Sequence, residues 1–235
     1  MHEVWFYGLL SVFVVSLMSF VGVFALSLEA NKLGKMLIYF ISFSAGALFG
    51  DAFLHLLPEI SKEGGFSISI AAGVLFGIGI FFVLEKIINW KHCHMPFTKK
   101  HMHSFAYTNL VGDGLHNFMD GLIIGAGYIV SVPIGLATTI AVVLHEIPQE
   151  IGDFGVLLHA GFSRTKALMT NFFSALAAFL GLAAALFLSG KIEGLEFILV
   201  PIAAGGFIYI AGSDLIPELH KDSGSLKRAL LQLFA

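Results

Sequence analysis

Asp113-Gly-Leu-His116-Asn117-Phe-Met-Asp120-Gly121 and, further along, His145-Glu146-Ile-Pro148-Gln149-Glu150 interrupt stretches that are otherwise apolar. Asp153 follows the second cluster closely. Ionisable side chains at bilayer depth cost about 2.5–3.5 kcal/mol each on insertion scales. A chain that places several His and acidic groups there needs something to offset that cost. A divalent cation held by those groups is the simplest candidate.

Composition puts the clusters in a membrane. The 235 residues are 57% hydrophobic and 12% charged, with 26 glycines and a mean hydropathy of +0.88, outside the range of soluble globular domains. A net charge of −3 gives no basic field, so nucleic acid is not an expected partner. Cys93 is the single cysteine, which excludes an intrachain disulfide framework. The first apolar run, Trp5–Leu28, has no Lys or Arg before it and reads as a spanning helix rather than a cleaved signal peptide.

Seven segments approach the ~20 residues that cross a ~30 Å hydrocarbon core. They are Trp5–Leu28, Met36–Leu57, Phe66–Leu84, Phe105–Val130, Ile134–His159, Ala167–Leu188 and Phe197–Ile216. An eighth begins at Leu226 and ends at Ala235, too short to cross, and is expected to be a truncated helix. Helical periodicity and the exclusion of open sheet edges from lipid predict an all-α polytopic membrane protein, a single transporter domain over 1–235. A cytoplasmic loop is expected at about 87–104.

Basic residues orient it. Lys32, Lys35, Lys86, Lys91, Lys99, Lys100, Arg164, Lys166, Lys221, Lys227 and Arg228 follow spans one, three, five and seven, whereas the opposite loops hold Lys62 and Lys191. The positive-inside rule makes the first set cytoplasmic and the N-terminus external, in a plasma (inner) membrane. Spans one, three and six carry no charge, while two, four, five and seven carry Asp51 and His55, the first cluster, the second cluster, and Asp214. Membrane charges face a bundle interior. Spans two, four, five and seven are therefore expected inside, surrounded by one, three, six and eight.

Ser44–Glu59 also aligns without gaps on Ala203–Glu218, both segments ending in Leu-(Leu/Ile)-Pro-Glu. The topology runs these two spans in opposite directions, the pattern of an inverted repeat flanking a midplane site.

His116 lies eleven residues beyond Phe105, about 16 Å deep at ~1.5 Å per residue, and His145 is as far beyond Ile134. Both clusters are thus expected near the midplane. Asp113, His116, Asn117 and Asp120 share one face by i, i+3, i+4, i+7 spacing. His145 pairs with Gln149 one turn on, and Glu146 with Glu150. Pro148 is expected to kink span five and free carbonyls for water or ion. Imidazole with carboxylate suits zinc, iron or manganese. Five carboxylates (Asp113, Asp120, Glu146, Glu150 and Asp153) would repel one another without a cation or protons.

His116-Asn-Phe-Met-Asp-Gly121 and His145-Glu-Ile-Pro-Gln-Glu150 resemble the paired fourth- and fifth-helix motifs of the ZIP (Zrt/Irt-like) metal transporters. The Gly-Asp-x-x-x-His-Leu-Leu-Pro run of span two fits the same family. The resemblance implies an eight-helix bundle with a binuclear site. One ion would be held by His116, Asp120 and His145, with His55 nearby, and a neighbouring ion by Asn117, Asp120 and Glu146. Gln149 stands where a second His is usual in the closest subfamily.

Asp51 and His55 are expected at the outer end of a path, and Glu150, Asp153, Asp214 and Glu218 at its cytoplasmic end. The His92-Cys-His94 and His101-Met-His103 stretches would hand off or sense metal, or are simply solvated loop. The expected function is transport of Zn2+, Fe2+ or Mn2+ into the cytoplasm across a lipid bilayer, with no prosthetic group and no enzymatic activity. The oligomeric state is left open, with a homodimer among the options. Coupling to protons is open, and acid is expected to weaken uptake because the ligands must deprotonate to bind metal. No Gly-Lys-Ser/Thr phosphate loop is present. The rival reading is an intramembrane zinc metallopeptidase built on His145-Glu-Ile-Pro-Gln, which lacks the second His of the zinc helix. A non-transporting metal sensor is a third.

Overall fold

The computed structural model describes residues 2–25, 30–62, 65–90 and 99–221. Among the described residues, seven helical segments follow in chain order. α1 is His2–Leu17, prolonged by a 3-10 turn at Met18–Val21 and by Gly22–Ala25. α2 is Ala30–Gly50, continued by a π-helical stretch over Asp51–Leu56 and the turn Leu57–Ile60. α3 is Ile68–Trp90, α4 Lys99–Val130 and α5 Val132–His159. α6 comprises Arg164–Ala175 and Ala177–Ser189. α7 is Glu196–Tyr209, a π-helical stretch Ile210–Leu215, and Ile216–His220. No strand occurs among the described residues.

Six of these are long and apolar enough to cross a membrane. The exception, α4, has the length, but its polar cluster dilutes its hydropathy. α3 and α4 reach to Trp90 and back to Lys99, well into the segment expected as loop. His92, Cys93, His94 and the expected eighth helix at 226–235 lie outside the described residues.

The two segments that align in sequence also share a local irregularity at the same register. In α2 the Leu57 N–H bonds to Ala52 O, and in α7 the Ile216 N–H bonds to Ala211 O, each an i to i−5 link. Each π stretch immediately precedes a Leu-Pro or Ile-Pro step, where the ring of Pro58 or Pro217 would crowd an ordinary α turn. α2 and α7 pack antiparallel: the closing turns of α2 meet the body of α7, and the closing turns of α7 meet the body of α2.

Buried shares differ among the spans. Half of α7's most apolar stretch is buried but only 17% of α3's, whose Leu75 and Phe76 are exposed on an apolar outer face suited to lipid. Two helix pairs touch backbone to backbone. A Cβ on Gly121 would stand 1.9 Å from Ala178 O, and one on Gly181 1.9 Å from Phe118 O, so α4 and α6 fit only because both positions are glycine. Gly77 and Gly205 play the same part between α3 and α7, at 2.2 Å from Ile202 O and Val74 O.

The α5–α6 connection sets up the site. Phe162 N–H bonds to Leu157 O and Gly161 N–H to Leu158 O, a Schellman closure with Gly161 at φ +88°. The Ser163 side chain then accepts from Lys166 N–H and starts α6. So short a turn makes α5 and α6 antiparallel neighbours and brings Asn171 opposite Glu150.

Candidate metal centre

α4 and α5 contribute two residues each to one buried knot, namely His116, Asp120, His145 and Glu146. One ligand atom from each lies within 4.8 Å of all the others. The Nε2 atoms of His116 and His145 are 3.1 Å apart. His116 Nε2 is 3.6 Å from Asp120 Oδ2 and 3.4 Å from Glu146 Oε1. His145 Nε2 is 3.4 Å from Asp120 Oδ2 and 3.6 Å from Glu146 Oε1. Ligands ~2.0–2.1 Å from a tetrahedral zinc stand roughly 3.3 Å from one another. Five of the six edges of this tetrahedron therefore match a zinc-sized ion.

The chemistry of the donors agrees. His145 Nδ1 is 3.2 Å from Ala141 O. With its proton donated there, Nε2 carries the lone pair into the cluster, as at ligating histidines generally. Asp120 and Glu146 are fully buried, and all four of their carboxylate oxygens lack a hydrogen-bond partner. Buried carboxylates are ordinarily paired, hydrogen-bonded or metal-bound. A cation set between two imidazoles and two carboxylates satisfies all four residues together.

The remaining expected residues fall into separate settings. Asn117 is buried, and its Nδ2 donates to Asp113 Oδ1 at 2.9 Å and to Asp113 O at 3.1 Å. Asp113 also accepts from the Ser174 hydroxyl of α6. Glu150 is buried and accepts from the Asn171 amide, again on α6. Asp153 accepts from Asn109 at 2.8 Å. His55 is not drawn into the knot: its ring stays exposed and its Nδ1 lies 3.1 Å from the buried Asp51, which also accepts from Thr138 at 2.8 Å. Glu146, assigned by resemblance to the neighbouring ion, turns Oε1 toward both histidines.

A cavity of about 230 Å³ opens beside His116, which lines it together with Asp113, Gln149, Asp153, Asp214 and Glu85, among others. Gln149 thus faces the same space as His116. Asp214 is exposed, as is Glu218, which pairs with Lys221. Tyr209 donates to Glu85 at the same cavity.

Three features escaped the sequence. α6 is not merely an apolar outer helix, since Asn171 and Ser174 bind carboxylates of α5 and α4; a buried Asn in an apolar span was the available signal. Glu85 sits one residue past the apolar limit of span three, outside every polar cluster read from the sequence, yet it lines the cavity. The carbonyl freed by Pro148 is Leu144 O, and it lies 2.6 Å from the Ser44 hydroxyl of α2 rather than standing open to ion or water.

Comparison with known proteins follows the same lines. A family model described as ZIP Zinc transporter matches residues 2–107 and 97–235. The chain is 30% identical to Zinc transporter zipt-7.2 of Caenorhabditis elegans, over 99% of the chain and 63% of that protein. It is 34% identical to Zinc transporter ZIP13 of Pongo abelii, over 97% of the chain and 75% of the relative. It is 29% identical to Metal cation symporter ZIP14 of Pongo abelii, over 93% of the chain and 61% of the relative. The chain therefore spans less than two thirds of the length of the first and the last of these.

Proposed function

The chain belongs to the ZIP zinc transporter family, and from that premise we propose that it carries zinc or a similar divalent ion (Fe2+, Mn2+) into the cytoplasm. The cargo pauses at His116, Asp120, His145 and Glu146. The observation that carries this reading is the near-tetrahedral spacing of four ligand atoms, three of them on buried residues and the fourth on the partly buried His116, with carboxylates that have no other partner. Asp120 and Glu146 keep their second oxygens for a neighbouring ion shared with Asn117, which retains an unpaired buried Oδ1.

Exchange requires a path as well as a site. Asp51 and His55 lie at the outer end in the orientation set by the Lys/Arg distribution, with the N-terminus outside. Asp153, Asp214 and Glu85 line the cavity on the way to the cytoplasmic ends of α5, α7 and α3. Glu150 and Glu218 stand on the same side. Gln149 borders the first ion as a weak neutral ligand. In this reading α2, α4, α5 and α7 form the inner bundle, and α2 and α7 are inverted-repeat partners. Their antiparallel packing and matching π stretches support that relation.

The test is uptake into proteoliposomes across a panel of divalent ions. Zinc, iron or manganese accumulation above protein-free vesicles is expected. Binding without accumulation would reduce the protein to a sensor.

A further inference from the structure

Asp113 and Ser174 stand outside the knot, and together they govern one end of Asn117. The Asn117 side chain is fully buried, and its Nδ2 lies 3.1 Å from Asp113 O and 2.9 Å from Asp113 Oδ1. A backbone carbonyl only accepts, so the nitrogen end of the amide faces Asp113 and the oxygen end faces away. That oxygen, Oδ1, is buried without a partner. The other carboxylate oxygen of Asp113, Oδ2, accepts from the Ser174 hydroxyl of α6. The hydroxyl is itself placed by its own helix, 2.9 Å from Asn171 O. Asp113 is buried with both carboxylate oxygens engaged. Such a carboxylate is poorly suited to take an ion and well suited to orient a neighbour.

We propose that Asp113, braced by Ser174, is a positioning residue: it holds the Asn117 amide with its oxygen, not its nitrogen, presented to the metal centre. An amide turned end for end would offer N–H groups to a cation, which removes a ligand and adds repulsion. The backbone acceptor alone lets the amide swing about it, and the carboxylate at 2.9 Å adds a second, charge-assisted hold. Metal ligands are commonly aimed by partners of this kind behind them, whose loss costs about 10–100-fold in affinity. Ser174 supplies no ligand and acts only through Asp113. The inference rests on the reading of Asn117 as a ligand of the neighbouring ion, and it gives that ion no additional ligand.

The experiment is Zn2+ binding to the purified full chain in detergent by isothermal titration calorimetry, with the two ions expected as separate steps. Ser174→Ala changes no charge and is expected to weaken the second ion about threefold, and Asp113→Asn about tenfold, each leaving the first ion within about twofold. Ser174→Thr keeps the hydroxyl and should restore the original affinity. The deciding comparison is made in Asn117→Ala: with that amide gone, Asp113→Asn should weaken the second ion no further. Further weakening there would mean that the Asp113 charge acts on the ion itself, and would overturn the proposal. Equal loss at both ions would overturn it as a packing defect, and so would a single bound ion in the unaltered protein. If Asp113→Asn does not fold, Ser174→Ala and Ser174→Thr, read with and without Asn117→Ala, decide alone. Zinc uptake by the unaltered protein reports on transport independently: accumulation there, with second-ion affinity unchanged in Asp113→Asn and Ser174→Ala, sinks only the positioning role.

Discussion

The Ser44 hydroxyl on α2 lies 2.6 Å from the Leu144 carbonyl on α5, the acceptor that Pro148, four residues on, leaves without its helical donor. The next residue along α5 is His145. The helix that carries Pro148 thus keeps its freed carbonyl satisfied through a neighbouring helix, and α2 is fastened to the turn next to His145. The same hydroxyl is 2.6 Å from Phe40 O, so one proton serves both carbonyls.

Ser44→Ala removes that donor and leaves the half-buried Leu144 carbonyl without this hydrogen bond, which costs about 0.5–1.5 kcal/mol. Lower thermal stability in detergent is expected, with weaker zinc binding as His145 loosens. Ser44→Thr keeps the hydroxyl and should recover most of the loss. Equal stability of Ser44→Ala and the unaltered protein would show that the contact contributes nothing.

Gly121 and Gly181 are required by backbone contact between α4 and α6. Gly121→Ala should destabilise by at least about 1–3 kcal/mol, the usual range for overpacking, because a carbonyl rather than a flexible side chain stands in the way. Gly79→Ala, where nothing lies within 4 Å, should be neutral. Thermal unfolding of the two variants side by side checks this, and equal behaviour would contradict the packing.

Much of the site was legible because intramembrane charge is rare and helical spacing is rigid. The i, i+3, i+4, i+7 pattern from Asp113 to Asp120 put four polar residues on one face, and the structure finds His116 and Asp120 in one knot with His145 and Glu146. What could not be read was the pairing of small polar groups across helices. Ser44, Thr138, Asn171 and Ser174 are individually unremarkable in an apolar span. Their roles exist only once α2, α5 and α6 pack together. The same is true of His55: its spacing to Asp51 allowed both an i, i+4 pair and a reach toward the knot, and the π stretch and local pairing give the former.

Gln149 lines the cavity beside His116, one turn from His145. An imidazole there adds a nitrogen ligand without fixed charge. Gln149→His is expected to tighten zinc and to raise its preference over manganese, following ligand softness. Maximal flux should fall, since an ion held more strongly leaves more slowly. Paired zinc and manganese uptake curves check it, and unchanged affinity and selectivity would place Gln149 outside the ion's coordination.

The measurement that bears most directly on the central claim is zinc uptake by Asp120→Ala in proteoliposomes, alongside its thermal stability. Asp120 Oδ2 lies within reach of both histidines, and its Oδ1 is buried without a hydrogen-bond partner. Removing a buried membrane charge also removes its desolvation cost. The account predicts a folded protein, at least as stable as the original without metal, whose zinc flux falls to the level of empty vesicles. Near-normal zinc uptake by a folded Asp120→Ala would contradict the site.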